Sequence, residues 1–172
     1  MDKDEIKMRL SKRGEYGLRA MIDLATWEPR THFVQIKDIA TREKIPPKFL
    51  EQILLTLKNA GLLNSRMGVG GGYYLAKSPS EITLGHIVRI LDGPLAPIRC
   101  VSHMAYESCG CPDEQTCGLR MAMLDVRNAI AGVLDQTSLT DVLLRVDKEK
   151  VRINMQSSHN GVGSVNVLDV GG

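Results

Sequence analysis

The chain has 172 residues, 43% of them hydrophobic and 24% charged, enough to bury the core of one domain with an appendage. A charged N-terminus without an apolar segment excludes a secretion signal, and no run nears the 18 apolar residues that a bilayer span needs, so a cytoplasmic protein with no membrane partner is expected. The net charge of +2 hides a split: residues 1–80 carry 14 Lys/Arg against 9 Asp/Glu, and residues 81–172 carry 8 against 11. A basic front half points to contact with a polyanion, with an unevenly solvated surface as the plainer reading. No nucleophile–base arrangement, nucleotide loop or paired acids appear, so neither an enzyme nor a small-molecule substrate is expected.

Over 14–27 the apolar residues Leu18, Met21, Ile22, Leu24 and Ala25 recur at helical spacing. "EPRTH" (28–32) breaks the pattern, and 34–44 reads as a short amphipathic helix with Ile36, Ile39 and Ala40 inward. "IPP" (45–47) stops that helix and opens a third, since Pro suits a first helical turn. The third helix carries Phe49, Leu50, Ile53, Leu54 and Leu57 on its buried side and ends at Gly61 as a cap. Two β-capable pieces, 62–66 and 73–76, flank "GVGGG" and predict a hairpin. Three helices and a hairpin are the plan of a winged helix-turn-helix. In that plan the third helix enters the major groove of double-stranded DNA and the hairpin tip reaches the neighbouring backbone or minor groove.

A short helix over 83–93, with Thr83 as N-cap, precedes the cysteine segment. After that segment comes a long helix whose Leu119, Met123, Val126, Ile130, Val133 and Leu134 form a stripe suited to packing on another helix. Residues 138–146 read as a closing helix. The Ser-, Asn- and Gly-rich sequence beyond Lys150 reads as a mobile tail.

All four cysteines lie within "CVSHMAYESCGCPDEQTCG" (100–118), at Cys100, Cys109, Cys111 and Cys117. Reduced thiolates are soft ligands suited to iron–sulfur clusters, zinc or copper(I). Zinc sites favour closely spaced Cys-x2–4-Cys knuckles, and no Cys-x-x-Cys pair is present here. Four thiols in one Gly- and Pro-flanked loop are a metal or redox centre rather than bystanders.

The stretches "MRLSKRGEYGLRAMIDLA" (8–25), "IKDIATREKIPPKFLEQILLTLKNAGLLNS" (36–65) and "GVGGGYYLAKSPSEITLGHIVRILDG" (68–93), followed by the cysteine cluster, resemble the Rrf-type winged-helix transcription regulators of bacteria. The resemblance covers most of 8–146. It implies a mostly α fold: a winged helix-turn-helix DNA-binding domain over 8–80, a connecting helix over 81–99, the cysteine loop over 100–118, a dimerisation helix with its closing helix over 119–146, and a flexible tail over 147–172. The implied protein is a homodimer on a palindromic operator, sensing iron, redox state or nitric oxide through an iron–sulfur cluster. A cluster-free regulator of the same fold, using its thiols or a partner protein, is the alternative, as is a cluster carrier that has lost DNA binding.

The family pattern has three ligand cysteines, the last two separated by five residues. Cys111 and Cys117 fit that spacing and Cys100 fits the first position, leaving Cys109 as an alternative ligand or a spare thiol. One branch has a His three residues after the last cysteine as fourth ligand of a [2Fe–2S] site. Here that position is Arg120, which favours the larger [4Fe–4S] cluster. In other members an acidic residue of the first helix reaches across the dimer, and the matching residue is Glu15. His103, inside the loop, is a second candidate.

The resemblance also places Lys48, Glu51 and Gln52 at positions that meet base edges or phosphates, which suits the hydrogen-bonding repertoire of those side chains. Gly70 and Gly71 of the wing, beside Gly72, would let backbone approach DNA, with Arg66 at the root. The minor-groove arginine that many members carry just before the wing's first glycine is Met67 here, which puts minor-groove readout in question. Arg9, Lys12 and Arg13 would position the phosphate backbone, and Lys44 and Lys58 would meet phosphate or water.

Overall fold

The computed structural model describes residues 9–27 and 32–160. Six helices and one two-stranded sheet follow each other as α1 (Lys12–Ala25), α2 (Ile36–Glu43), α3 (Pro47–Asn59), β1 (Leu63–Arg66), β2 (Gly72–Leu75), α4 (Leu84–Asp92), α5 (Gly118–Gln136) and α6 (Leu139–Asn160). The order matches the mostly α, winged helix-turn-helix plan, with boundaries within a few residues of the periodicity up to the start of α6. Of the expected break at 28–32, residues 28–31 lie outside the described residues.

Each helix starts and stops for local reasons. Ser11 caps α1 by accepting from the Gly14 amide, and Thr83 caps α4 by accepting from the His86 amide; both satisfy amides that a helix start leaves without a partner. Lys44 ends α2 in the left-handed region, and Pro47 opens α3 in its first turn. The strands pair antiparallel with Leu63 opposite Leu75 and Arg66 opposite Gly72. Val34 extends this sheet by exchanging two backbone hydrogen bonds with Tyr73.

The core lies where α1, α2, α3 and α4 meet. Met21, Ile39, Leu50, Ile53, Leu54, Leu57, Leu62 and Ile87 are fully buried there. Phe49 sits at its margin, edge-on to Tyr16 with ring centroids 5.8 Å apart. The helix-turn-helix is braced by ion pairs at its rim: Arg42 donates to both carboxylate oxygens of the buried Asp23, at 2.8 and 2.7 Å, and Arg19 pairs with Glu43 at 3.0 Å. A bidentate pair of this kind fixes geometry as well as adding energy.

α1 lies close against α4, and "GEYG" is the reason. A Cβ on Gly14 would fall 2.4 Å from an Asp92 carboxylate oxygen, and one on Gly17 would fall 2.0 Å from Leu91 Cδ1. The same Asp92 accepts from the Ser11 amide at 2.8 Å and the Ser11 hydroxyl at 2.5 Å. The start of α1 is therefore tied to the end of α4, the element that leads into the cysteine loop.

Two expectations change. The closing helix does not stop at 146: α6 runs to Asn160, so 147–160 is helical where composition predicts a tail. The segment "VDKEKVRINMQ" is rich in good helix formers, and Asp147 with Lys150 and Glu149 with Arg152 pair one turn apart. The remaining expected tail, 161–172, lies outside the described residues. The stripe on α5 is also far less buried than its periodicity suggests: the one buried residue of the helix among those described is Ala131, outside the stripe, while Leu119 and Val133 are 62% and 63% exposed.

Candidate DNA interface and cysteine centre

α3 turns Leu50, Ile53, Leu54 and Leu57 into the core, which leaves Lys48, Glu51 and Gln52 exposed together on the opposite face. The three expected base-reading residues thus share one open surface. Arg13 is not free to roam on it. It donates to Thr56 Oγ1 at 2.8 Å and so ties α1 to the recognition helix, while Arg9 and Lys12 are exposed beside the start of α1. Lys58 donates to Ser65 Oγ at 2.7 Å, linking α3 to the wing. Lys44 is exposed.

The wing glycines divide into two kinds. Gly68 and Gly70 have positive φ, at 97° and 75°, which a turn of this shape requires and other residues rarely adopt. Gly71 is buried, and a Cβ there would lie 2.3 Å from the Arg66 carbonyl oxygen; one on Gly72 would meet the Val34 carbonyl at 2.4 Å. Gly71 therefore closes the hairpin on itself and Gly72 seats it against Val34, and of the three consecutive glycines only Gly70 stands at the open tip. Arg66 holds its guanidinium 5.1 Å from the centre of the Phe33 ring, and Phe33 is in turn edge-on to Tyr74. The outermost wing side chains are Met67 and Val69, both almost fully exposed. Their apolar character at the tip was legible in "RMGVGGG" but carried no signal of contact by itself.

The cysteine loop hangs between α4 and α5. Cys100 sits in a short 3-10 turn over Arg99–Val101 and is buried, Cys117 caps α5, and the intervening chain is largely exposed. The four thiols fall into two groups. Cys100 Sγ, Cys109 Sγ and a Glu114 carboxylate oxygen lie within 4.8 Å of one another, and Cys117 Sγ lies 3.9 Å from Cys111 Sγ. Gly110, between Cys109 and Cys111, turns the chain at a φ of 69°.

These neighbours set the acidities. Hydrogen bonds with Cys109 and then Cys117 push the Cys111 thiol up to about 12. The hydrogen bond from Cys111 lowers Cys109, and burial, reinforced by Cys109, raises Cys100.

The other expected donors stand apart. Glu15 is held on its own helix by Lys12 at 2.7 Å, with Arg19 at 3.7 Å, and the Lys12 contact lowers its carboxyl. His103 is exposed, and neither residue belongs to the donor group found among the described residues. The residue missed from the sequence is Glu114. Tyr106 places its hydroxyl 2.7 Å from each Glu114 carboxylate oxygen, and Arg120 Nε lies 3.4 Å from one of them. Arg120, standing where one family branch has a ligand His, thus faces a carboxylate. The signal was an acidic residue three positions before Cys117, inside the loop itself.

Residues 10–145 match the family model described as Rrf2, iron-dependent transcriptional regulator. The chain belongs to the Rrf2 family of transcriptional regulators. It is 35% identical over 143 residues to the HTH-type transcriptional regulator CymR of Bacillus subtilis, covering 83% of this chain and 95% of that protein. The solved structure of CymR, the global cysteine regulator of B. subtilis, superposes with a TM-score of 0.67 at 34% identity, covering 79% of this chain and 96% of that one. IscR of T. potens superposes with a TM-score of 0.64 at 31% identity, covering 84% and 92%. Relatives and fold are those of DNA-binding regulators, not enzymes. No helix among the described residues is long and apolar enough to cross a membrane.

Proposed function

We propose that the chain is a cytoplasmic, homodimeric regulator that binds a palindromic operator and senses iron supply, oxidants or nitric oxide through an iron–sulfur cluster on its cysteine loop. The observation that carries this reading is the pairing of the four thiols in one loop, Cys100 with Cys109 within 4.8 Å and Cys111 with Cys117 at 3.9 Å. Two thiolates on one tetrahedral metal, each about 2.3 Å from it, lie about 3.8 Å apart, the span that a pair on one iron of a [2Fe–2S] group would take. The donor set is soft and sulfur-rich, which fits an iron–sulfur group. Cys100, Cys111 and Cys117 would hold it. When bound, such a group supplies a centre that reacts with oxidants and nitric oxide.

The chain's own residues supply the rest. The exposed apolar side chains of α5 and α6, Leu119, Val133, Val151, Ile153 and Met155 among them, form faces that a second copy would cover. Such a dimer offers two α3 helices to half-sites about one helical turn, roughly 34 Å, or a multiple apart. Lys48 and Gln52 would meet phosphate and base edges, with Glu51 accepting from cytosine. The cysteine loop begins just past the Ser11–Asp92 tie, so a change of loop shape acts on the end of α4 that holds α1. For that to regulate, operator DNA must fit the two loop states unequally.

An iron and sulfide count on protein purified without oxygen tests the reading. Two or four irons per chain with matching sulfide are expected and decide the cluster type. One zinc, or no metal, overturns the cluster and leaves a DNA-binding regulator working through its thiols, a reading that the 3.9 Å Cys111–Cys117 approach and the similarity to CymR also favour.

A further inference from the structure

The loop holds one thiol more than the three that the family pattern assigns, and the fold does not set that thiol aside. Cys109 Sγ lies within 4.8 Å of Cys100 Sγ and of a Glu114 carboxylate oxygen, and two residues on, Cys111 reaches Cys117 at 3.9 Å. We propose that Cys109 is the fourth ligand, so that four thiolates of one chain close the iron–sulfur site and no donor is taken from α1 of the partner. This rests on the cluster reading above.

Three arguments support it. Geometry comes first. Cys111 and Cys117 lie 3.9 Å apart and Cys109 lies within 4.8 Å of Cys100, so each thiol already has a second beside it in the same loop. The Gly110 turn, with its φ of 69°, already presents Cys109 and Cys111 to one another. The rival donors are the second argument. Glu15 is committed to Lys12 and Arg19. Glu114 touches the group but is engaged by the Tyr106 hydroxyl and faces Arg120. Chemistry is the third: a carboxylate is a harder donor than a thiolate, and iron–sulfur clusters are held by thiolates. In this arrangement Glu114 is held by Tyr106 and Arg120 beside the sulfurs and stays outside the ligand set.

The test uses the full chain purified without oxygen, as wild type, Cys109→Ala, Cys111→Ala, Glu15→Gln and Glu114→Gln. Each is read by iron and sulfide per chain, visible spectrum and rate of iron release to a chelator, with far-UV circular dichroism confirming the fold. Cys109→Ala should lose its cluster as fully as Cys111→Ala, beyond the roughly 10–100-fold loss of affinity that removing a supporting residue causes. Glu15→Gln and Glu114→Gln should keep wild-type iron, sulfide and spectrum. Cys109→Ala with an unchanged cluster overturns the proposal, as does loss of the cluster in either glutamine variant while Cys109→Ala retains it. A wild-type chain without iron and sulfide overturns the cluster reading itself, and this proposal with it.

Discussion

The winged domain and the arm that follows it use apolar residues in opposite ways. Between Met21 and Leu91 most aliphatic side chains of α1 to α4 are buried, Leu55 being the half-exposed exception. Along α5 and α6 they are largely in it, with Ala131 and Leu139 the buried exceptions among the described residues. The first region is closed on itself; the second leaves its apolar faces open among the described residues. In a regulator this separates a rigid reading head from a part whose state can change, since regions with few buried contacts open at low cost.

The largest effect should come from the sealed side. Leu54→Ala removes a fully buried side chain from the centre of the core and should cost about 2–5 kcal/mol, measured by urea unfolding. A loss under about 1 kcal/mol would mean that the winged domain is looser than its packing implies.

Val133→Asp probes the open side. Val133 is 63% exposed, so the substitution should leave the stability of a lone chain within about 0.5 kcal/mol. If α5 is the dimer face, the same change should cost at least about 2 kcal/mol in self-association, seen as a shift from dimer to monomer by analytical ultracentrifugation, with loss of operator binding. An unchanged dimer would move the interface elsewhere.

This contrast also marks what the sequence could and could not convey. The helices of the winged domain were legible because their periodicity and their burial coincide: Leu50, Ile53, Leu54 and Leu57 repeat at helical spacing and are all inside. On α5 the same periodicity signalled a helix but not whether its stripe faced the chain's own core or another molecule. The extension of α6 to Asn160 was hidden because Ser, Asn and Gln suggest a coil by composition, while the charge pairs that support the helix are visible only by spacing. At the cysteine centre the concentration of thiols was plain. The place of Cys109 beside Cys100, with Glu114 next to them, depends on a turn at Gly110 that no residue spacing encodes. At the wing, three glycines in a row read alike, yet Gly71 and Gly72 answer to the Arg66 and Val34 carbonyls.

A smaller effect is confined to the reading head. Gln52 is exposed and stabilises nothing in the core, so Gln52→Ala should leave unfolding unchanged and relax preference at one base pair by about 1–3 kcal/mol. Binding titrations against a panel of single-base operator variants would show it. An equal loss on every sequence would make Gln52 a backbone contact and leave base readout to Lys48 and Glu51.

The smallest effect lies at the joint between the two regions. Arg89 of α4 donates to both carboxylate oxygens of Asp135 at the end of α5, one of them at 2.8 Å, and this contact lowers the Asp135 carboxyl below its ordinary value. A carboxyl that is more acidic folded than unfolded adds stability above the unfolded range near about 3.9, and that stability is lost as pH falls through the lower folded value. Asp135 is nearly half exposed, so solvent screens the pair, and Asp135→Asn should cost only about 0.2–1 kcal/mol at neutral pH. In acid, below both values, wild type and variant should unfold at the same urea concentration. A gap that persists there would mean that Asp135 holds the joint by packing over Gly85, where a Cβ would fall 2.0 Å from its carboxylate oxygen. In that case α5 would be fixed to the winged domain by shape, and a charge at this joint would have no part in coupling the cysteine loop to the reading head.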